Sequence, residues 1–305
     1  MRLYRTFERD TSRPLAVAIG FFDGMHAGHW EIARRTRALR RPGWRSGVLT
    51  FSNHPVAFLR PGEEPPLLMT PEERIVAFAR AGYEECFFVP FDASVATLTA
   101  ERFMEEVLLR RLRAGAVVTG ATFRFGHRRG GDVAMLSRFC AEHGIAFRAV
   151  DAVCDASGER ISSTRIRALI AAGKMQEADA LTAFPYEVRG IVERGSGRGH
   201  ALGFPTANLR VPPKLLPPDG VYAAVARYDG RDYAALVSVG DNPQFGGTER
   251  TVEVWLRDFH YTIYGHQLAV REWRFVREQR RFDDVEGLVA QMRSDLAAVA
   301  FPAYG

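Results

Sequence analysis

Lysine is almost missing from this chain. Of its 41 basic residues only Lys174 and Lys214 are lysine, and the rest are arginine. Guanidinium groups grip phosphate oxygens two at a time, so the bias suits anionic ligands, and a biased genome leaves the same mark. Cysteine is scarce too. Cys86, Cys140 and Cys154 form no metal spacing and no even disulfide set, which excludes a disulfide-stapled fold and points to a reducing cytoplasm. No apolar run reaches membrane-spanning length and no N-terminal signal pattern appears, so a soluble cytoplasmic protein without a membrane partner is expected. A P-loop is absent. The Gly173-Lys174 pair is followed by Met175 and lacks the upstream glycines, so any nucleotide is held another way. There is no internal repeat and no low-complexity tract.

What is present is ample apolar content. The 305 residues are 47% hydrophobic with a net charge of +5, enough for one large or two ordinary domains. The informative stretch is Ala16 to Arg41. An apolar run from Ala16 to Phe22 reads as a buried strand, Asp23-Gly24 as a turn, and a helix starts near His26-Ala27-Gly28-His29. Strand, glycine turn and helix start present free backbone N–H groups to an anion. Two histidines three apart share a helix face and suit a polyphosphate in its transition state. The plainer alternative is an ordinary turn with scaffold histidines. A metal pair is weaker still, because no cysteine or third histidine lies nearby.

Strand and helix patterns alternate to about residue 182. Strands are expected at Ser46–Phe51, Cys86–Pro90, Gly115–Gly120 and Ile145–Val150. Thr70-Pro71-Glu72-Glu73 is a capping box with proline at the first helical position, Thr99 caps a helix toward Arg113, and Asp132 caps one toward His143. This alternation predicts a Rossmann-like parallel sheet with ligands beyond the carboxyl ends of its strands. The loops at His26, at His54 and from Arg124 to Arg129 fall at that edge. Ile161-Ser162-Ser163-Thr164-Arg165-Ile166-Arg167 then opens a short helix. A serine cap explains the hydroxyls, but arginines in a first turn oppose the helix dipole and suggest an anion between them and the amides.

After Phe184-Pro185 short strands replace helical periodicity: Tyr186–Glu193, Val221–Tyr228, Tyr233–Val239, Thr251–Leu256 and Leu268–Phe275. Asp229-Gly230 reads as a hairpin turn, and an amphipathic helix from about Asp284 to Ala300 closes the chain. A small antiparallel β-barrel is predicted. The stretch from Gly195 to Gly199, followed by Gly203-Phe204-Pro205-Thr206-Ala207-Asn208, joins a glycine loop to two oxygen ligands, Thr206 and Asn208. These share one side of an extended segment and suit Mg²⁺ with phosphate. A flexible loop with a proline turn is the plainer reading. Glu253 faces opposite Val252 and Val254, and alternation alone makes it a solvated strand carboxylate as readily as a general base.

Together these motifs resemble the bifunctional prokaryotic riboflavin kinase/FMN adenylyltransferase family, also called FAD synthetase. They are GFFDGMHAGH, TFSNHP, FRFGHRRGGD, ISSTRIR, GHALGFPTANL, Gly220-Val221-Tyr222, TVEVWL and Tyr264-Gly265, in the family's order from about Ala16 to Asp295. The resemblance implies a nucleotidylyltransferase domain over 1–183 and a riboflavin kinase domain over 184–305. It makes His26 and His29 the catalytic pair of the transferase. Gly20, Phe22, Asp23, Gly24, Gly28, Ser162, Ser163, Thr164 and Arg165 become ATP- or phosphate-binding residues there. His54, Thr122, Phe123, Phe125 and Arg277 become flavin contacts. In the kinase it implies Glu253 as base, Thr206 and Asn208 on Mg²⁺, and Gly195, Gly199, Gly203 and Pro205 on ATP. Riboflavin, FMN and ATP are the implied ligands, with no nucleic acid and a monomer or weak homo-oligomer. The chain departs from the family pattern at Asn53, Thr122, Arg194, His200 and Pro243-Gln244-Phe245. Two alternatives stay open: one active domain only (kinase alone, or a transferase with altered nucleotide or flavin preference), or a flavin- or nucleic-acid-binding regulator. The second rests on the arginines from Arg34 to Arg41, which a solvated helix face explains better.

Overall fold

The computed structural model describes residues 1–195, 204–241, 250–280, 285–299 and 301. The chain divides into two compact units, Met1–Ser163 and Thr164–Gly305, whereas the sequence reading draws its boundary at 183.

The first unit is a six-stranded parallel sheet. Its strands are β1 (Arg2–Tyr4), β2 (Leu15–Ile19), β3 (Arg45–Phe51), β4 (Glu85–Val89), β5 (Ala114–Gly120) and β8 (Ala146–Val150), in the order β1-β4-β3-β2-β5-β8. Every residue of β2 and β4 is buried. Both faces of a parallel sheet are covered, which is why these strands read as unbroken apolar runs. Alternation sends Leu15, Val17 and Ile19 into one apolar cluster and Ala18 and Val48 into the other. Helices α1 (Ala27–Ala38), α2 (Pro55–Leu59), α3 (Pro71–Arg80), α4 (Ala93–Ala96), α5 (Ala100–Arg102) and α6 (Val133–Glu142) connect the strands, with a π-helical turn at Phe103–Arg111 extending α5. The predicted capping box is present in full: Thr70 Oγ1 accepts from Glu73 N–H at 3.2 Å, and Glu73 Oε2 accepts from Thr70 N–H at 2.8 Å. Thr99 and Asp132 cap α5 and α6 as expected.

The strand order reverses beside β2, with β3 and β4 on one side and β5 and β8 on the other. A crevice at the carboxyl ends is expected at such a switch point. The opening strand is shorter than predicted. It ends at Ile19, because Phe22, Gly24 and Met25 all take positive φ (56°, 84° and 38°) and coil the chain into a turn. Among the elements that the sequence did not announce are β1, α2, α4 and a small hairpin of β6 (Arg124–Phe125) with β7 (Gly131–Asp132).

The second unit begins with α7 (Ser163–Ala171, whose first residue closes the first unit) and α8 (Met175–Asp179). It continues as a closed antiparallel barrel of β9 (Val188–Glu193), β10 (Thr206–Arg210), β11 (Gly220–Tyr228), β12 (Arg231–Asp241), β13 (Arg250–Leu256) and β14 (Gln267–Arg277), in the order β10-β13-β12-β11-β14-β9. Asp229 and Gly230 take φ of 46° and 77°, the pair of positive values that a two-residue hairpin requires. Trp273 and Tyr222 are fully buried, with their rings edge to face at 5.7 Å. The terminal helix α9 (Val285–Ala298) is tied to β14 by Arg277, which donates to the Asp295 carboxylate at 2.8 and 3.0 Å.

Candidate functional site

The first site is the turn after β2. His26 is the residue before α1, and His29 lies in its first turn. Their rings stack with centroids 3.7 Å apart, and Phe22 meets His29 edge-on at 5.2 Å. Gly28 lies against His26, where a Cβ would sit 3.1 Å from His26 Cε1, tighter than ordinary contact. The Nδ1 atoms of both histidines are buried without a partner among the described residues. Burial, followed by the charge of Arg160, lowers the His26 pKa to about 4. Burial, then His26 and Arg74, pushes His29 well below the ordinary imidazole value. Both rings are therefore neutral at pH 7. They lie beside a helix start whose first turn holds no acidic side chain, a setting that favours an anion. An anion arriving there raises both imidazole pKa values.

The Asp23 carboxylate is buried and accepts from Leu68 N–H at 2.9 Å and Met69 N–H at 3.0 Å, so it anchors the turn. Gly24 passes close under Leu68, and a Cβ on Gly20 would meet the Phe22 ring at 2.9 Å. Ser163 Oγ donates to Asp23 O at 2.8 Å, which joins the second motif to the first through backbone. Ser162, Arg165 and Arg167 are half-buried and Thr164 is exposed.

His54 caps α2: its Nδ1 accepts from Val56 N–H at 3.2 Å, and its ring sits edge-on to Phe21 at 4.6 Å. Asn53 beside it clasps the backbone of Phe91. It donates to Phe91 O at 3.0 Å and accepts from Phe91 N–H at 2.8 Å, fastening the ends of β3 and β4. Thr122 is exposed and Phe123 half-buried after β5, whereas Phe125 is buried beneath Phe123, with stacked centroids 5.6 Å apart. A hollow lined by Arg13, Arg40, Arg41 and Trp44 lies near the start of β3 and holds none of the predicted residues.

The second site lies on the barrel. Strand register sets Asn208 opposite Glu253 and Glu253 opposite Ser238, giving one row across β10, β13 and β12 on the face away from the buried Val252 and Val254. Thr206 lies on the same face of β10, opposite Trp255. Gly195 leans directly on Asn208, and a Cβ there would lie 2.0 Å from Asn208 Nδ2. Pro205 is exposed just ahead of β10, and the Arg194 guanidinium sits over the Tyr264 ring at 5.5 Å. Gly199, Gly203, His200 and Pro243-Gln244-Phe245 lie outside the described residues. Arg277, expected at a flavin, has its guanidinium on Asp295 and the Glu278 carbonyl.

Two residues escaped the sequence reading. Gln279 donates to Ser238 Oγ at 3.1 Å and Val239 O at 3.0 Å, bracing the row that carries Glu253. No local pattern marks it. Arg74 is wholly buried near the end of β3, bonded to Phe51 O at 2.9 Å. Its signal was an arginine in a helix's first turns, the oddity noted for Arg165.

Residues 8–165 match the family described as FAD synthetase, and residues 182–300 match the family described as riboflavin kinase. The bifunctional riboflavin kinase/FMN adenylyltransferase of Listeria monocytogenes is 34% identical over 283 residues, covering 92% of this chain and 89% of the relative. The protein of the same description from Escherichia coli is 30% identical over 310 residues, covering 99% and 98%. A crystal structure described as a macrolide-efflux protein of Streptococcus pneumoniae superposes with a TM-score of 0.84 at 32% identity, over 97% of both chains. Among the described residues of this chain, no helix is long and apolar enough to cross a membrane.

Proposed function

The chain belongs to the family of bifunctional riboflavin kinase/FMN adenylyltransferases, with an FAD synthetase domain and a riboflavin kinase domain, and from that premise we propose how its residues divide two reactions. The C-terminal domain phosphorylates riboflavin to FMN. The N-terminal domain adenylylates FMN to FAD.

In the kinase reaction the terminal ribityl oxygen attacks the γ-phosphorus of ATP. The bond from that phosphorus to the bridging oxygen breaks, ADP leaves, and Glu253 takes the hydroxyl proton. The cross-strand row Ser238–Glu253–Asn208 supports this role, because it sets the carboxylate beside the oxygen ligands of β10. The donor set fits Mg²⁺: a hydroxyl and an amide oxygen from Thr206 and Asn208, with phosphate completing it. When bound, Mg²⁺ neutralises phosphate charge. Gly195, Gly199, Gly203 and Pro205 are the remaining ATP contacts of this reading.

In the transferase reaction an FMN phosphate oxygen attacks the α-phosphorus of ATP. The bond to the β-phosphate oxygen breaks and pyrophosphate leaves. The nucleophile is already an anion, so no protein base is needed, and positioning with charge stabilisation suffices. The observation that carries this reading is the stack of two buried, uncharged imidazoles at the start of α1, each with a nitrogen unpartnered among the described residues. Neutral rings admit a tetra-anionic substrate and bond it without a proton having to leave. His54, Thr122 and Phe123 are the flavin side of this reading, with Phe125 as backing. Cytoplasmic placement is supported by three free cysteines, two of them buried. A boundary near 183 is supported by the gap between the two family matches.

The test is chromatography of products from riboflavin, and separately from FMN, each with ATP and Mg²⁺. FMN and FAD from riboflavin, with FAD and pyrophosphate from FMN, are the expected result. FMN from riboflavin with nothing from FMN would leave a kinase alone. No flavin phosphate at all would refute both assignments.

A further inference from the structure

Arg74 is an expensive residue to bury. It is 0% exposed in the first turns of α3 and makes no ion pair among the described residues. Burial lowers its pKa only to about 10, so the group stays charged at neutral pH. Unpaired buried cations are strongly disfavoured, and one that persists is held by a dense set of acceptors. Here the acceptors of the two Nη atoms lie at the end of β3 and on the segment leaving β2. Nη1 donates to Phe51 O at 2.9 Å, and Nη2 donates to Phe21 O and to Thr50 Oγ1. Thr50 Oγ1 itself donates to Phe21 O at 3.0 Å. The guanidinium also stacks on Phe21, 4.1 Å from the ring centroid.

Those partners lead directly to the candidate site. Phe21 and Phe22 are the residues between β2 and the His26–His29 turn. Phe21 meets His54 edge-on at 4.6 Å, and Phe22 meets His29 edge-on at 5.2 Å. Phe51 O belongs to the last residue of β3, three before His54. One fork-shaped cation therefore fastens the two strand ends from which both histidine loops depart. Lysine's point charge could not reproduce that planar geometry in full.

We propose that Arg74 is a positioning residue of the adenylyl-transfer site: its guanidinium ties the carboxyl ends of β2 and β3 together and so seats His29 and His54. This rests on the transferase reading above. Arg74 has no exposed surface with which to touch ATP or flavin, so it contributes no uniform substrate binding, and its loss appears in kcat. A loop displaced by about 1 Å costs on the order of a hundredfold. Its charge also acts on His29. The groups around that imidazole are His26 on the same turn, Phe22, and Arg74 from α3; Arg160 acts on His26, and Asp23 and Cys86 act on Arg74. Removing the Arg74 cation lets His29 accept a proton at higher pH.

The test uses the full chain with Arg74→Gln and Arg74→Lys, and reads FAD formation from FMN, FMN formation from riboflavin, and thermal melting. Arg74→Gln is expected to lower kcat for FAD about a hundredfold. KM for ATP should stay within about threefold, the acid limb of the FAD pH profile should move up, and riboflavin phosphorylation should be unchanged. Arg74→Lys restores the charge, so it should return the acid limb to its wild-type position and recover kcat to within about tenfold. Wild-type kcat and pH profile in Arg74→Gln would overturn the proposal. Equal loss in both variants with early melting would also overturn it, making Arg74 a scaffold residue only. A wild-type chain that makes FMN but no FAD would instead refute the transferase reading, and this inference with it.

Discussion

Substituting Gly195 by alanine tests the kinase site by geometry alone. The new Cβ would lie 2.0 Å from Asn208 Nδ2 and 2.7 Å from Cγ. Unbonded heavy atoms settle near about 3.5–4.0 Å, so one group must move by roughly 1.5 Å. Gly195 has no positive φ, so alanine brings no backbone strain. The group that yields is the Asn208 amide, the free end of a short side chain, which can turn at a cost of about 0.5–1.5 kcal/mol. The fold therefore survives with melting shifted by a few degrees at most. On the proposal that Asn208 holds Mg²⁺, a displacement of more than about 1 Å costs on the order of a hundredfold in rate. FMN formation from riboflavin under saturating ATP should fall by about that factor, while FAD formation from added FMN remains at the wild-type rate. Riboflavin phosphorylation within threefold of wild type would refute the reasoning, because Asn208 could then be moved without consequence. Equal loss of both activities would refute it as well.

Other outcomes follow from the same contacts. Glu253→Gln keeps the shape but cannot take a proton, so FMN formation should fall by about 10²–10⁴-fold with FAD formation from FMN intact, as steady-state kinetics will show. His26 has a folded pKa of about 4 against 6.5 for an unperturbed imidazole, so the unfolded chain binds the extra proton between those values. Stability contributed by the neutral ring is complete above pH 6.5 and falls as pH drops toward 4, by about 3 kcal/mol in total. Urea denaturation across that window should show a shallower pH slope in His26→Asn. Burial raises Asp179 to about 6 and acts in the opposite sense, but it is common to both proteins and cancels in the difference. Asn53→Ala leaves Phe91 N–H and C=O without their clasp, which should lower stability by about 1–3 kcal/mol and slow FAD formation through His54. An unchanged urea midpoint would contradict the clasp.

Much of this protein follows from short-range rules. The Thr70–Glu73 box, the Thr99 and Asp132 caps and the Asp229-Gly230 turn formed as their spacing required, because each needs only groups within four residues of one another. Alternating strand and helix patterns indicated a parallel sheet, and alternation around Glu253 gave its face before any strand was paired. What neighbours a side chain across the fold was not legible. Asp23, expected at phosphate, turns its carboxylate to amides 45 and 46 residues away. Arg277, expected at flavin, reaches Asp295, 18 residues on, and Asn53 reaches Phe91, 38 residues on. Arg74 draws together carbonyls 23 and 53 residues distant. Such partners depend on strand order and register. Those are settled by how whole elements bury their apolar faces, not by the identity of the residues that finally meet.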